Sequence, residues 1–233
     1  MVQALSRSSE VCGSAMSYRP RDRGDLGVSK ERCPSRRKAN QLEAMTKQAS
    51  QPLVLTVGHS TRLLTDFIAL LAVHSVTRLI DVRTVPRSRH NPQFNRDTLP
   101  AVLAACGIGY EHMPALAGFR RTHLGSPNTG WRNVSFRGFA DYMQTPAFAE
   151  ALAGLIQQAR QERLVLMCAE AVPWRCHRSL IADALVVHGI RVENIINGSR
   201  RQVHTLTPFA TVDGMVITYP AQGPSSRHPC SDE

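Results

Sequence analysis

The feature that most constrains the fold of this chain is the stretch at residues 164–185, LVLMCAEAVPWRCHRSLIADAL. It begins with an apolar run, continues through a polar loop that contains a proline, and ends in a segment with apolar residues at helical spacing. This order predicts a buried strand, a loop and a helix. A strand that is apolar on both faces is typical of a parallel sheet covered by helices.

Strand and helix patterns alternate through the rest of residues 51–220. Strands are expected at residues 53–57, 78–83, 108–113 and 191–196, and helices at about 61–73, 99–105, 136–143, 146–158 and 177–188. Ser60 or Thr61 is expected to cap the first helix, and residues 215–218 form a possible edge strand. The pattern predicts one α/β domain with a three-layer, Rossmann-like fold, in which helices cover both faces of a mostly parallel sheet of about five strands.

The two ends of the chain have a different composition from this domain. Residues 1–50 are rich in Ser, Arg and Gln without apolar periodicity, so we expect a disordered basic arm. Met45 is followed by the polar stretch TKQASQP and then at once by the first strand pattern, so we expect it as an alternative start of the protein. Residues 221–233 are expected to form a frayed tail.

Composition excludes several classes of protein. The six cysteines are scattered, which is unlike the dense disulfide framework of a small secreted domain. No apolar run approaches the roughly 18 residues of a membrane span, and the first thirty residues lack a secretory signal. We therefore expect a cytoplasmic protein with no membrane partner. The formal net charge of +10 suits an anionic ligand such as a phosphorylated small molecule or a nucleic acid.

Two long segments between the predicted elements lack regular patterns. Residues 84–97 contain several Arg and Asn with two Pro, so we expect a functional loop without regular structure, anchored by Phe94. Residues 115–133 contain several glycines and are expected to be either a lid or a surface loop.

Polar side chains follow three of the predicted strands. His59 and Ser60 follow the first, Arg83 lies at the end of the second, and Cys168 and Glu170 lie at the end of the fourth. In a parallel sheet these strand ends share one edge, where open α/β sheets bind their ligands. The sequence therefore predicts one composite pocket.

Each of these residue types suggests a role in that pocket. The candidate catalytic residues are His59, Asp81 and Glu170, as acids or bases, and Cys168, as a nucleophile. The candidate anion-binding residues are Ser60, Arg83, Arg87, Arg89, His177 and Arg178. Two alternatives remain open: both cysteines fill the core, and the acids form buried ion pairs with Arg83 or Arg178.

No cofactor and no metal are expected. Cys168, Cys176 and His177 are ligand types that zinc uses, but C-x7-C-H is not a known zinc spacing. The adjacent side chains of Cys176 and His177 are also expected to point apart, so zinc binding is not predicted.

Several segments together resemble a known family. They are TVGHSTR, DVRTVPRSRHNPQFN, GIGYEHMPAL, FADYM and CAEAVPWRCHRSLIADAL, and the similarity to the family called domain of unknown function 488 extends over residues 53–220. The matching positions are Gly58, His59, Ser60, Asp81, Arg83, Pro86, Ser88, Arg89, Phe94, Cys168, Glu170, Cys176, His177 and Arg178. The chain departs from the pattern after the third strand, where it reads Leu116-Ala117-Gly118 and the family usually has paired glycines, and at Asn194, where the family usually has a histidine. The resemblance implies an α/β domain and no particular activity.

Three functions are compatible with these features. The leading hypothesis is an enzyme, a hydrolase or transferase, that binds a nucleotide or a nucleic-acid end in the pocket. One alternative is a noncatalytic nucleic-acid-binding module driven by the basic arm. The other is a thiol-based redox sensor that uses Cys168 or Cys176. The loop AEAVPWR has no glycine, which argues against the tight phosphate cradle of a cysteine phosphatase.

Overall fold

The computed structural model of the protein describes residues 51–221. The predicted basic arm, the alternative start at Met45 and nearly all of the predicted C-terminal tail lie outside the described residues. Within residues 51–221, no helix combines the length and the apolar character that crossing a membrane requires.

A six-stranded sheet forms the middle layer. Its strands are β1 (Leu53–Gly58), β2 (Arg78–Asp81), β3 (Gly109–His112), β4 (Leu164–Cys168), β5 (Arg191–Ile195) and β6 (Arg201–Val203). They lie in the order β3-β2-β4-β1-β5-β6, and all neighbours are parallel except β5 and β6. The predicted mostly parallel sheet is confirmed, and the antiparallel edge strand β6 is an addition that the sequence did not indicate.

Five helices cover the sheet: α1 (Leu64–Val73), α2 (Leu99–Ala105), α3 (Val134–Tyr142), α4 (Pro146–Ala159) and α5 (Arg178–Val187), counted within residues 51–221. One buried cluster joins α1 and α2 to one face of the sheet. A second cluster joins α3, α4 and α5 to the other face. The predicted α/β architecture with helices on both faces is therefore confirmed.

The short hairpin near the end of the described chain lies apart from the main sheet. Its strands are β7 (Thr211–Asp213) and β8 (Val216–Thr218), which pair with each other in antiparallel fashion. The expected edge strand at residues 215–218 thus exists, but its partner is β7. Tyr219 follows β8 and is fully buried, and its hydroxyl donates to Asp183 at 2.9 Å, which anchors the hairpin on α5.

The first helix begins later than the sequence suggested. Neither Ser60 nor Thr61 caps α1, since the N-cap is Leu63 and has no side-chain hydrogen bond. The physical reason is that pairing continues beyond the ends of β1 and β4. The backbone N–H groups of His59 and Ser60 both donate, at 3.0 Å, to the carbonyls of Cys168 and Ala169. Residues 59–61 are thereby held at the sheet edge and start no helix.

The strand order creates a crevice at this edge. Because β4 lies between β2 and β1, the carboxyl ends of these three strands are side by side. After β1 the chain leaves toward α1 on one face of the sheet, whereas after β4 it leaves toward α5 on the other face. When the chain leaves two neighbouring strands toward opposite faces of the sheet, a crevice forms between the two connections. This crevice is the usual ligand site of an open α/β sheet.

Gly58 at the end of β1 allows the loop after β4 to pass directly above it. A Cβ atom at this position would lie 2.0 Å from the Glu170 carbonyl oxygen and 2.7 Å from the Ala171 Cα. Both are backbone atoms that no side-chain rotation can move, so only glycine fits here.

Replacement of this glycine, Gly58→Ala, is expected to lower the free energy of unfolding by about 2 to 3 kcal/mol, because the backbone must shift to admit the methyl group. Urea denaturation measures the change. The matched control is Gly154→Ala on α4, where nothing lies within 4 Å of the added Cβ. That variant is expected to be as stable as the parent or up to about 1 kcal/mol more stable. Equal stability of the two variants would contradict the close approach.

Candidate functional site

The crevice opens into a cavity of about 660 Å³, which we call the strand-end cavity. Among the predicted site residues, those that line it are His59, Ser60, Arg83, Cys168, Glu170 and His177. The four that do not line it are Asp81, Arg87, Arg89 and Arg178. The structure thus brings together residues from three separate strand ends, as the topology argument anticipated.

Two cysteines and a histidine lie together at the base of the strand-end cavity. The sulfur atoms of Cys168 and Cys176 and a ring nitrogen of His177 are all within 4.8 Å of one another. Cys168 is 9 % exposed at the end of β4, and Cys176 is 4 % exposed just before α5. Both thiols line the cavity, so a ligand inside it would contact sulfur.

The ring of His177 is held in one orientation. Its Nε2 lies 3.1 Å from the Val82 carbonyl oxygen, and because a carbonyl only accepts, Nε2 carries the proton. Its Nδ1 then faces the cysteines and lies 3.7 Å from the Cys176 sulfur. The ring packs edge-on against Phe139, and a Cβ at Gly118 would lie 3.0 Å from Nδ1. His177 therefore presents a basic nitrogen to the thiols with little room to turn.

These neighbours make the two thiols unequal. Hydrogen bonding from the Cys176 thiol is the largest cause that holds the pKa of Cys168 far below its ordinary value, and His177 and the charge of Arg178 act in the same direction against burial. The same hydrogen bond and burial raise the pKa of Cys176. The opposite directions of the two pKa shifts make Cys168 the more acidic thiol of the pair and Cys176 the weaker acid.

Arg178 lies beneath the loop after β4 and outside the cavity. Its side chain is 1 % exposed, and its Nη1 donates to the Glu170 carbonyl oxygen at 2.7 Å. It therefore fixes the loop backbone, and its charge acts on the sulfur of Cys168 from below. The expected ion pair between Arg178 and the carboxylate of Glu170 does not form, since that carboxylate accepts the N–H of Val172 at 3.3 Å.

Asp81 and Arg83 form a buried ion pair, which is one of the two alternatives that the sequence left open. Arg83 donates through Nε and Nη2 to the two carboxylate oxygens of Asp81 at 2.9 and 2.6 Å. The Tyr110 hydroxyl also donates to Asp81 at 2.8 Å, and Asp81 is fully buried. Asp81 therefore orients Arg83 and has no contact with the strand-end cavity.

Arg83 itself reaches the cavity wall with little hydrogen-bonding capacity left. Besides Asp81, it donates to the Phe94 carbonyl oxygen at 2.7 Å, and its Nη1 lies 3.2 Å from His59 Nε2. Of the five N–H groups of a guanidinium, one on Nη1 has no partner among residues 51–221. Because Asp81 compensates its charge, Arg83 offers a ligand one N–H.

His59 is held neutral between two partners. Its Nδ1–H donates to the Ser60 carbonyl oxygen at 2.8 Å, its Nε2 accepts from Arg83, and its ring stacks on Phe94 with centroids 4.3 Å apart. Burial is the main cause that lowers its pKa. Since both ring nitrogens are engaged, the geometry favours a role for His59 in positioning Arg83 over the predicted role as acid or base.

The loop at residues 84–97 contributes to the cavity through different residues than expected. Arg87 is exposed and pairs with Asp97 at 3.0 Å, and Arg89 is exposed as well, so neither lines the cavity. Ser88 and Asn91 line it instead. The loop also contains a short 3₁₀ turn at Pro92–Phe94, which corrects the expectation of no regular structure. The anchoring role of Phe94 is confirmed, because its side chain is fully buried.

The segment at residues 115–133 forms the opposite wall. Asp141 on α3 accepts from the Thr122 hydroxyl at 2.8 Å and from the Asn128 amide at 2.7 Å, which tethers the segment. Gly118 and Phe119 line the cavity, and Phe119 is 82 % exposed with a φ of +55°. A strained, exposed aromatic residue at a cavity wall is typical of a binding site.

Arg175 is a charged cavity residue that the predicted anion-binding set did not include. It lies at the end of the 3₁₀ turn Pro173–Arg175, is exposed, and lines the strand-end cavity beside Cys176. The sequence showed two arginines, Arg175 and Arg178, on either side of Cys176 and His177. Only the turn geometry separates them, since it directs one to the cavity and the other beneath the loop.

Cys168, Cys176 and His177 are also the donors that a soft metal ion would use. The expectation that the side chains of Cys176 and His177 point apart is wrong, because the backbone turns from extended at Cys176 (φ −133°) to helical at His177 (φ −59°). Within residues 51–221, Cys168, Cys176 and His177 have no fourth Cys, His or carboxylate in their group. A structural zinc site has four protein ligands, so these three do not form one by themselves.

The fold and the site define an α/β domain with a Cys-Cys-His group at the carboxyl edge of a mostly parallel sheet. A family model described as Domain of unknown function DUF488 matches residues 63–185, which is more than half of the chain. The protein belongs to this family, as the sequence motifs indicated. Neither the curated proteins nor the solved structures contain a match to the chain.

Proposed function

We propose that the protein is an enzyme that binds a phosphorylated ligand, a nucleotide or a nucleic-acid end, in the strand-end cavity and attacks it with Cys168. The observation that carries the proposal is the Cys-Cys-His group, with its donor atoms within 4.8 Å of one another, at the base of an open cavity with cationic walls.

The surroundings of Cys168 support a nucleophilic role. His177 Nδ1 can take the proton of Cys168, and the Val82 carbonyl then holds the opposite N–H of the imidazolium. The Cys176 thiol and the charge of Arg178 stabilise the resulting thiolate. A cysteine that only filled space would be surrounded by apolar groups, which disfavour the thiolate.

The charge of the cavity wall supports an anionic ligand. Arg175 is exposed at the wall, and no acidic group among the described residues pairs with it. Arg83, whose charge Asp81 compensates, adds one free N–H at the wall, and Glu170 is the one carboxylate that lines the cavity within residues 51–221. Guanidinium groups bind phosphate through charge-assisted hydrogen bonds. Because the loop at residues 169–175 has no glycine and includes Pro173, side chains would hold the phosphate in place of a backbone cradle.

Two aromatic rings favour a nucleotide over a simple phosphate. Phe119 and Phe136 both line the cavity, and Phe119 is largely exposed to it. A base stacked on an aromatic side chain gains about 1 to 3 kcal/mol. The ligand would therefore place its base on this wall and its phosphate near Arg175.

The reaction class follows from the nucleophile. The Cys168 sulfur would form a bond to the transferred group while the bond from that group to the rest of the ligand breaks, and the leaving oxygen would take the proton from the His177 imidazolium. Water, in a hydrolase, or a second acceptor, in a transferase, would then attack the group and release the Cys168 thiolate. Such a thiolate requires a reducing compartment. Within residues 51–221 all three cysteines, Cys106, Cys168 and Cys176, are free, which supports a cytoplasmic location.

Removal of the exposed guanidinium, Arg175→Ala, is expected to weaken nucleotide binding by roughly 10- to 100-fold, because a hydrogen bond to a charged group contributes about 1.5 to 3 kcal/mol. Calorimetric titration with mononucleotides and 5′-phosphorylated oligonucleotides measures the change. Arg160→Ala is the matched control, since Arg160 is exposed at the end of α4, away from the cavity, and its loss changes the net charge equally.

Equal affinities of the two variants, or no binding to the parent, would contradict the proposal. The noncatalytic alternative makes a different prediction. Affinity would then fall steeply with salt, disappear when residues 1–44 are deleted, and show no dependence on Arg175.

A further inference from the structure

We propose that Cys168 and Cys176 are a site of reversible oxidation, at which a hydroperoxide converts the two thiols into a disulfide. This inference rests on the proposed role of Cys168 as a nucleophile and adds a means of regulating the same site.

The geometry of the two thiols carries the inference. Their sulfur atoms lie within 4.8 Å of each other, and a disulfide requires about 2.05 Å between the sulfurs. The loop at residues 169–175 separates them, and Cys176 lies in extended backbone (φ −133°) between the 3₁₀ turn of this loop and α5. Closing the remaining distance therefore needs a local shift of Cys176 toward Cys168, while β4 and α5 stay in place.

The two thiols also differ in the way that such a reaction requires. The Cys168 thiolate is the group that attacks the peroxide, whereas the Cys176 thiol keeps its proton and is available for the second step. His177 Nδ1 faces both sulfurs and can carry a proton in each step. The exposed Cys106 lies outside this group, so it has no such partner among residues 51–221.

The reaction balances in two steps. The Cys168 sulfur attacks one oxygen of the hydroperoxide, the O–O bond breaks, and the leaving oxygen takes the proton from the His177 imidazolium, so that Cys168 becomes a sulfenic acid. The Cys176 sulfur then attacks Cys168, giving its proton to His177, and the S–O bond breaks. The hydroxide that leaves takes this proton and departs as water. Together the thiols lose two electrons and the peroxide gains them.

The functional consequence is protection of the nucleophile. A sulfenic acid without a partner is oxidised further to a sulfinic acid, which ordinary reductants do not reverse. The disulfide with Cys176 stops this progression, suspends any reaction that needs the Cys168 thiolate, and returns the site to activity when a dithiol reduces it.

Peptide mapping tests the inference, because trypsin separates the two cysteines. Cleavage after Arg163, Arg175 and Arg178 places Cys168 in LVLMCAEAVPWR and Cys176 in CHR. The reduced full-length protein is treated with one equivalent of hydrogen peroxide, its free thiols are blocked, and the digest is analysed by mass spectrometry. The expected product is these two peptides joined by a disulfide, with Cys106 still a free thiol, and dithiothreitol restores both peptides.

Two cysteine variants test whether Cys176 is the residue that forms the disulfide with Cys168. Cys176→Ser is expected to trap Cys168 as a sulfenic acid that dimedone labels and that proceeds to sulfinic acid, whereas Cys106→Ser should form the same disulfide as the parent. A urea denaturation curve of each variant confirms that it is folded.

Three outcomes would overturn the inference: sulfinic acid at Cys168 with a free Cys176 in the parent, a disulfide from Cys168 to any other cysteine, or a tightly bound metal ion that shields both thiols. The first of these outcomes would still show that Cys168 reacts as a nucleophile, so it is distinct from failure of the proposed function. A Cys168 that reacts with neither peroxide nor iodoacetamide would remove the proposed function as well.

Discussion

Alkylation of Cys168 by iodoacetamide is expected to proceed at nearly the same rate, within about twofold, from pH 5 to pH 8, because its thiolate persists throughout this range. An ordinary thiol, with a pKa of about 8.5, becomes several hundredfold more reactive between these two pH values. Because the pKa of Cys168 is lowered, its thiolate forms below pH 5. The alkylation rate therefore has no further rise between pH 5 and pH 8. Mass spectrometry of the peptide LVLMCAEAVPWR measures the rate.

Two comparisons control this experiment. A short cysteine peptide in the same reaction provides the slope of an ordinary thiol. The variant His177→Gln can still donate to the Val82 carbonyl but has no basic nitrogen for the sulfur, so its Cys168 should become more reactive as the pH rises. A wild-type Cys168 that follows the slope of the peptide would show that Cys176 and His177 do not lower its pKa.

The second large effect is on stability. Asp81→Asn is expected to lower the free energy of unfolding by about 3 to 5 kcal/mol, since removing one member of a buried ion pair leaves the other charge uncompensated. Asp81 is fully buried and accepts from the backbone N–H and the guanidinium of Arg83 and from Tyr110. Urea denaturation measures the loss, and Tyr110→Phe, which removes a single donor, should cost only about 1 kcal/mol.

A surface ion pair between β2 and the turn before β4 is the matched control. Arg78 and Glu162 are bonded at 2.9 Å, and their side chains are 33 % and 32 % exposed. Because solvent screens such a pair, Glu162→Gln should cost no more than about 1 kcal/mol. Similar small losses for Asp81→Asn and Glu162→Gln would mean that the Arg83 charge is not buried as the structure shows.

Local patterns predicted the elements well, because apolar periodicity is a property of neighbouring residues. The bounds of α2 agree with the sequence, and β1 differs by a single residue. The start of α1 was missed because the backbone of His59 and Ser60 pairs with Cys168 and Ala169, more than a hundred residues away. The antiparallel strand β6 is three residues long and all three are exposed, so it has no apolar pattern to detect.

The residues that line the site could not all be predicted from local patterns, because they depend on strand order, burial and turn geometry. The sequence implied that the strand ends share one edge, but only the strand order places β4 between β1 and β2 and so makes Cys168 a neighbour of His59 and Arg83. It also offered two accounts of Asp81, and burial decides for the ion pair. The choice between Arg175 and Arg178 as the cavity arginine depends on a single 3₁₀ turn.

The central claim is that the strand-end cavity holds a phosphorylated ligand against the Cys168 thiolate. It is tested most directly by measuring the rate of Cys168 alkylation at pH 6 while a nucleotide that binds the protein is added. The account predicts that the rate falls and reaches a plateau at the concentrations that saturate binding. The matching uncharged nucleoside should protect far less, and Cys106 should react at an unchanged rate. A Cys168 rate that stays constant while binding saturates, or equal protection of Cys106, would contradict the account.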